Sequence, residues 1–147
     1  MIVAARAPQG PGRRTAERTQ MPGFVLEPLG GAAHGFHGSR VLIKASGDDT
    51  AGQLTVLEST YPPGLSVHVH VHDGEDEMFY VLAGELAGTC GDETWTARPG
   101  SFVFVPRDTP HSLSVTSAGP ATALVITGPP RLDQQIVARA EPAPEFP

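Results

Sequence analysis

The chain has a single cysteine, Cys90, in 147 residues. That excludes an internal disulfide framework and a zinc site built on thiolates. Cations are scarce: 10 Lys+Arg stand against 16 Asp+Glu, a formal net charge of −6. A nucleic-acid partner held by general charge attraction is therefore not expected, and no helix-turn-helix pattern is present. Long apolar runs are missing too. The first twenty residues hold none longer than residues 2–5, too short for a signal-peptide core, and no later stretch approaches a membrane span. No membrane partner is expected, and a cytoplasmic, reducing location is the default. Internal repeats are absent as well, so each motif should occur once.

Glycine and proline, by contrast, are abundant, at 17 and 15 residues. Both break helix interiors, which argues against a helical bundle and for short strands joined by tight turns. The length suits one domain. Residues 1–20 carry a net +3, leaving −9 on the rest. Composition makes this segment a solvated, disordered N-terminal arm. Two other readings are an extension ahead of a true start at Met21 and an Arg-rich targeting segment. Residues 21–139 read as the single domain and the Pro-rich residues 140–147 as a flexible tail. Within the domain, 21–39 is Gly- and His-rich and reads as a loop or edge segment. Strand patterns then recur at 40–44, 53–60, 66–72, 77–83, 85–90, 93–97, 101–105, 111–116 and 122–127, the spacing of an all-β sandwich or barrel. Leu132 and Ile136, one helical turn apart, mark a short amphipathic helix at 131–139, expected on the outside of the barrel.

The chemistry concentrates in His68, His70 and His72, alternating with Val69 and Val71. In a strand, residues i and i+2 share a face about 6.6 Å apart, so the three imidazoles should point one way. Three histidines amid β-branched residues are hard to explain as packing, since each brings a polar nitrogen needing a partner. The turn 73–76 reverses the chain and brings Glu77 back toward them, on one face with Phe79 and Val81. Met78, Tyr80 and Leu82 make the other face apolar as well, the pattern of a strand buried on both sides. A buried Glu77 without a partner is costly, and a cation is its natural partner. His111, opening another strand, is a further candidate. His34 and His37 read as ordinary surface histidines, Glu75 and Asp76 as solvated turn residues, and Cys90 as a packing residue.

Gly64, His70, His72, Glu77 and Gly84 resemble, in identity and spacing, the first motif of the cupin superfamily. Gly100, Pro106 and His111 resemble its second motif, with Asp108 and Val115 where that motif has glycine and asparagine. Asp tolerates the left-handed conformation such a turn asks of glycine, so the first departure should be harmless. The second removes a polar group near the site. The resemblance spans residues 53–127 and implies a double-stranded β-helix (a jelly-roll barrel) with a short C-terminal helix, commonly a homodimer. It also implies one divalent transition metal per chain, held by His70, His72, Glu77 and His111. Imidazole-rich ligation suits Fe, Ni, Mn, Co, Cu or Zn without choosing among them. His68 is not in the motif. It is left as a pocket-lining residue, a catalytic acid–base or an alternative ligand.

A divalent ion with one carboxylate keeps a net +1 and open positions, which favours an enolate, enediolate or phenolate ligand. Phe79, Val81, Trp95, Phe102, Phe104 and Leu113 are available as apolar walls. The resemblance is to small quercetinase-like cupins, which implies a metal-dependent dioxygenase acting on an enolisable or phenolic small molecule with O2. Glu77 would then also be catalytic, leaving the metal in part to accept the substrate proton. The alternatives are a non-oxidative isomerase, lyase or cyclase using the metal as Lewis acid, or a non-catalytic small-molecule binder.

Overall fold

The computed structural model describes residues 22–146. The arm expected at 1–20 and the alternative start at Met21 lie outside them. Ten antiparallel strands are separated by Gly- and Pro-rich turns: β1 Ala32–Phe36, β2 Ser39–Ala45, β3 Thr55–Tyr61, β4 Ser66–His70, β5 Asp76–Ala83, β6 Leu86–Cys90, β7 Glu93–Ala97, β8 Phe102–Val105, β9 His111–Val115 and β10 Ala121–Gly128. One helix follows, α1 Leu132–Ala138. The strands form a six-stranded sheet, β1-β2-β3-β10-β5-β8, and a four-stranded sheet, β4-β9-β6-β7. Leu57, Phe79, Val81 and Val125 of the first sheet share one core with Leu86, Leu113 and Val115 of the second. Each such side chain contributes about 1.5–3 kcal/mol by leaving water. The all-β jelly roll with a short C-terminal helix is what the turn spacing and the two motifs implied.

Three features add to or correct the sequence reading. Within the segment read as loop or edge, residues 32–36 form the edge strand β1, which pairs with β2 across a tight turn where His37 and Gly38 both have positive φ, 49° and 78°. Two left-handed residues in sequence suit the twist of a hairpin. Only Phe36 among these five residues is a strong strand former, so the pairing partner makes this strand. Beyond the helix, the Glu141 backbone exchanges hydrogen bonds with Gly35 at 2.8 and 3.1 Å. Finally, α1 does not lie outside the barrel. Leu132 and Ile136 are buried in the common core, and the helix covers one end of the sandwich.

The register of β5 corrects a further expectation. Glu77, Phe79 and Val81 point inward and are buried. Met78 and Tyr80 point outward, opposite Phe104 and Phe102 of the edge strand β8. This strand is therefore not buried on both sides: Tyr80, Leu82, Phe102 and Phe104 are between 45% and 60% exposed. The motif glycine Gly84 has a steric reason. Its φ is 71°, and a Cβ there would stand 2.6 Å from the Pro120 carbonyl oxygen. No helix among the described residues is long and apolar enough to cross a membrane.

Candidate metal centre

His70 ends β4, His72 stands two residues further in the turn, Glu77 is the second residue of β5, and His111 opens β9. β4 and β9 belong to the four-stranded sheet and pair so that His70 faces His111, whereas β5 belongs to the six-stranded sheet. The four side chains thus meet across the sandwich. One potential ligand atom from each lies within 4.8 Å of all the others.

The imidazoles are turned by their outer nitrogens. His70 Nδ1 is 2.8 Å from the His68 carbonyl oxygen, and His111 Nδ1 is 2.8 Å from the Thr109 carbonyl oxygen. His72 Nδ1 lies 3.3 Å from Glu75 Oε1. A carbonyl or carboxylate acceptor requires N–H on Nδ1, which leaves each Nε2 as a lone pair. Two of those nitrogens converge on one atom: Glu77 Oε2 is 3.1 Å from His111 Nε2 and 3.4 Å from His72 Nε2. Lone pairs facing a carboxylate in a half-dry pocket need a positive charge among them. Three Nε2 donors and one carboxylate fit a transition metal of imidazole-rich preference.

Sequence reasoning missed Glu75. Read as a solvated turn residue, it is only 2% exposed. Its Oε2 accepts the backbone N–H groups of Arg131 and Leu132 at 2.7 and 3.1 Å, while Oε1 orients His72. Burial works to raise its pKa, but the bonds from His72, Leu132 and Arg131 outweigh burial and hold it below the usual carboxylate range. In return the Glu75 carboxylate, against burial, raises the pKa of His72. Burial, aided by the positive charge His111 and His72 can carry, lowers that of His70. No local signal betrays Glu75, because its helix partners are 56 and 57 residues away. Asp76 is likewise not free in solvent. It takes the Arg107 guanidinium on both oxygens, at 3.1 and 2.9 Å, and the Arg107 backbone N–H at 2.8 Å.

His68 lies outside the four-residue cluster and is exposed, although it lines the same cavity. The regular alternation expected for 66–72 is broken. Val67 faces Leu113 and His70 faces His111, so three steps on β4 match two on β9. His68 and Val69 share the space of one residue, a bulge. β4 then ends at His70, and the turn rather than the pleat aims His72.

Above the cluster lies a cavity of about 880 Å³, with Val41, Phe79, Leu113 and Val125 as apolar wall, Tyr61 and Ser59 as polar wall, and α1 at its rim. Burial, and after it the negative charge of Glu77, pushes the Tyr61 hydroxyl well above its usual pKa, so it stays a neutral donor. Of the expected walls, Phe79 and Leu113 line this cavity. Val81 is buried in the core beyond it. Phe102 and Phe104 point outward because Val103 and Val105 take the inward positions of β8. Trp95 sits behind Phe79, ring centroids 6.4 Å apart, and its outer side lines a separate groove between β7 and β8.

A two-sheet jelly roll that gathers three imidazoles and a carboxylate at one end defines a recognisable class of small β-barrel. Residues 57–127 match the family model of the Cupin domain. The chain belongs to the cupin superfamily. It is 30% identical over 115 residues to the quercetin 2,3-dioxygenase of Bacillus subtilis (strain 168), an alignment covering 71% of this chain and 32% of that protein. The chain thus spans about a third of that relative's length. A solved structure of TT1209 from Thermus thermophilus is 36% identical, with a TM-score of 0.51, covering 54% of this chain and 75% of that one. An RmlC-like cupin from Shewanella frigidimarina, 15% identical with a TM-score of 0.64, covers 78% of this chain and 99% of its own, and shows the fold alone.

Proposed function

We propose that this chain is a metal-dependent enzyme acting on an enolisable or phenolic small molecule, and that it is a dioxygenase placing both atoms of O2 in its product. The observation that carries this reading is the convergence of His70, His72, Glu77 and His111 at one end of a cavity of about 880 Å³, within the size range of small-molecule sites. The likeness to a quercetin 2,3-dioxygenase supports it. When bound, a redox-active divalent metal supplies open positions for a substrate oxygen and for O2.

The protein's own groups have separable roles. His70, His72 and His111 are the neutral donors, each turned by an acceptor on Nδ1. Glu77 is the fourth donor and the base: its Oε2 faces two imidazoles, and Oε1 is left to accept the substrate proton. Tyr61, buried and neutral, donates a hydrogen bond to a substrate oxygen, and the apolar wall excludes water from the ring. His68, at the exposed side of the cavity, exchanges protons with solvent as the second acid–base group. The outward face of β5 and β8 is covered by a second copy of the chain, which makes the protein a homodimer.

The test begins with elemental analysis of protein purified without added metal, followed by oxygen uptake on adding a flavonol or a β-diketone. About one equivalent of a redox-active metal, with uptake lost in His70→Ala, is the expected result. Turnover that continues without oxygen would replace the dioxygenase by an isomerase, lyase or cyclase. Tight binding with no turnover under any metal would make the protein a non-catalytic binder.

A further inference from the structure

The cations of this acidic chain are unevenly employed. Among the described residues there are six Lys and Arg. Three are paired with carboxylates: Lys44 with Glu58, Arg98 with Glu85 and Arg107 with Asp76. Arg40 lies over the Phe146 ring. The remaining two, Arg131 and Arg139, have no carboxylate partner among the described residues, and both line the cavity above the metal centre. They bracket α1 at four-residue spacing with Gln135, which also lines the cavity. Residues four apart share one helix face, so the cavity rim carries a stripe of two guanidiniums around an amide.

The stripe is tied to the centre. The Arg131 backbone N–H donates to Glu75, and Glu75 orients His72. The Arg131 guanidinium bends back over the 73–75 turn, donating from one Nη to the Asp73 carbonyl oxygen at 2.8 Å, which fixes its position, while its other donors have no acceptor among the described residues. The one exposed acid at this rim, Asp73, makes no ion pair with either arginine among the described residues. A fixed guanidinium with free donors matches the geometry of a carboxylate.

Resting on the reading of the cavity as a small-molecule site, we infer that its ligand is bipolar: an enolic or phenolic oxygen head directed to the metal centre, and a carboxylate tail bound at the rim by Arg131 and Arg139, with Gln135 between them. The two arginines select anionic substrates over neutral ones of the same shape. They also make a positive entrance on a chain whose formal net charge is −6.

The experiment uses the full chain loaded with cobalt(II), whose visible absorption reports ligand binding without turnover. Three probes are titrated: catechol, dihydrocaffeate, and the methyl ester of dihydrocaffeate. The acid is expected to bind at least about ten-fold tighter than the ester, the scale of a charge-assisted hydrogen bond. Arg139→Gln, which breaks no hydrogen bond of the described structure, and Arg131→Gln should each erode that preference, and the double variant should abolish it. Arg98→Gln, remote from the cavity, should leave it intact. Equal affinity for acid and ester, or a preference that survives in the double variant, overturns the assignment of the stripe while leaving the metal centre standing. A spectrum that catechol itself does not perturb overturns the small-molecule site and this inference with it.

Discussion

Asp108 Oδ1 accepts the backbone N–H of Gly74 at 2.8 Å, and the Asp108 backbone N–H donates to the His72 carbonyl oxygen at 3.0 Å. These bonds lock the turn before His111 to the turn between His72 and Glu77, so the two halves of the ligand set are held in register by one residue. Asp108 does this at φ 63°, in the left-handed region. Alanine there would keep the strain and lose the carboxylate, whereas asparagine tolerates the conformation and keeps an acceptor. Asp108→Ala should therefore cost about 1–3 kcal/mol, and Asp108→Asn less than about 1 kcal/mol. Chemical denaturation of the two variants, side by side, checks the order; equal losses would show that the loop tie is not the reason for aspartate.

Glu75 is the larger lever. A buried carboxylate that orients His72 and receives two helix N–H groups links the metal centre to the seat of α1. Glu75→Gln can keep an oxygen on the two helix N–H groups, more weakly than a carboxylate, but its NH2 then faces His72 and no charge draws the Nδ1–H. Loss of such a carboxylate partner behind a ligand histidine lowers metal affinity about 10–100-fold. Zinc competition titrations should show that drop, and amide exchange should rise across α1 in the same variant. Unchanged affinity with a loosened helix would reduce Glu75 to a structural anchor.

Much of this was legible from the residues in order. Short apolar or alternating runs between turn residues marked β5, β9 and β10, and the resemblance of Gly64–Gly84 and Gly100–His111 to the two cupin motifs implied all four residues of the cluster. Three kinds of feature were not legible. β1 is strand because β2 and Glu141 pair with it, not because its own residues prefer to be. The bulge that separates His68 from His70 arises from register against β9, which a single strand does not reveal. Glu75 and the outward turn of Phe102 and Phe104 depend on partners distant in sequence, and composition carries no record of them.

Acid should release the metal, and His72 is a histidine that resists giving up its proton. All three imidazoles must be neutral to bind. Glu75 raises the pKa of His72, whereas burial lowers that of His70, so of these two His72 holds its proton to the higher pH. Without metal the sign reverses. A folded-state value raised above the unfolded value of about 6.5 means that protonated His72 stabilises the fold fully below that pH, and the contribution is lost as pH rises through the folded value. The gap in Tm between zinc-loaded and metal-free protein should therefore widen from about pH 5 to about pH 8. A gap independent of pH, or full metal content retained at about pH 5, would count against the histidine ligands.

The outer face of β5 and β8 yields the last prediction. Tyr80 stands opposite Phe102, and Met78 opposite Phe104, on the strand at the edge of the six-stranded sheet. Half-exposed aromatic side chains adjoining on one face have the character of an interaction surface. A two-fold interface repeats each residue, so Phe102→Glu would bring two unpaired carboxylates into it. In an isolated protomer the same glutamate is solvated and should change stability by no more than about 0.5 kcal/mol. Wild-type protein is expected to be dimeric by light scattering at micromolar concentration. Phe102→Glu and Tyr80→Glu should each weaken the dimer at least about 100-fold, the cost of desolvating an unpaired charge. A wild-type chain that stays monomeric across the concentration range, or variants that dimerise unchanged, would assign the apolar face to another partner.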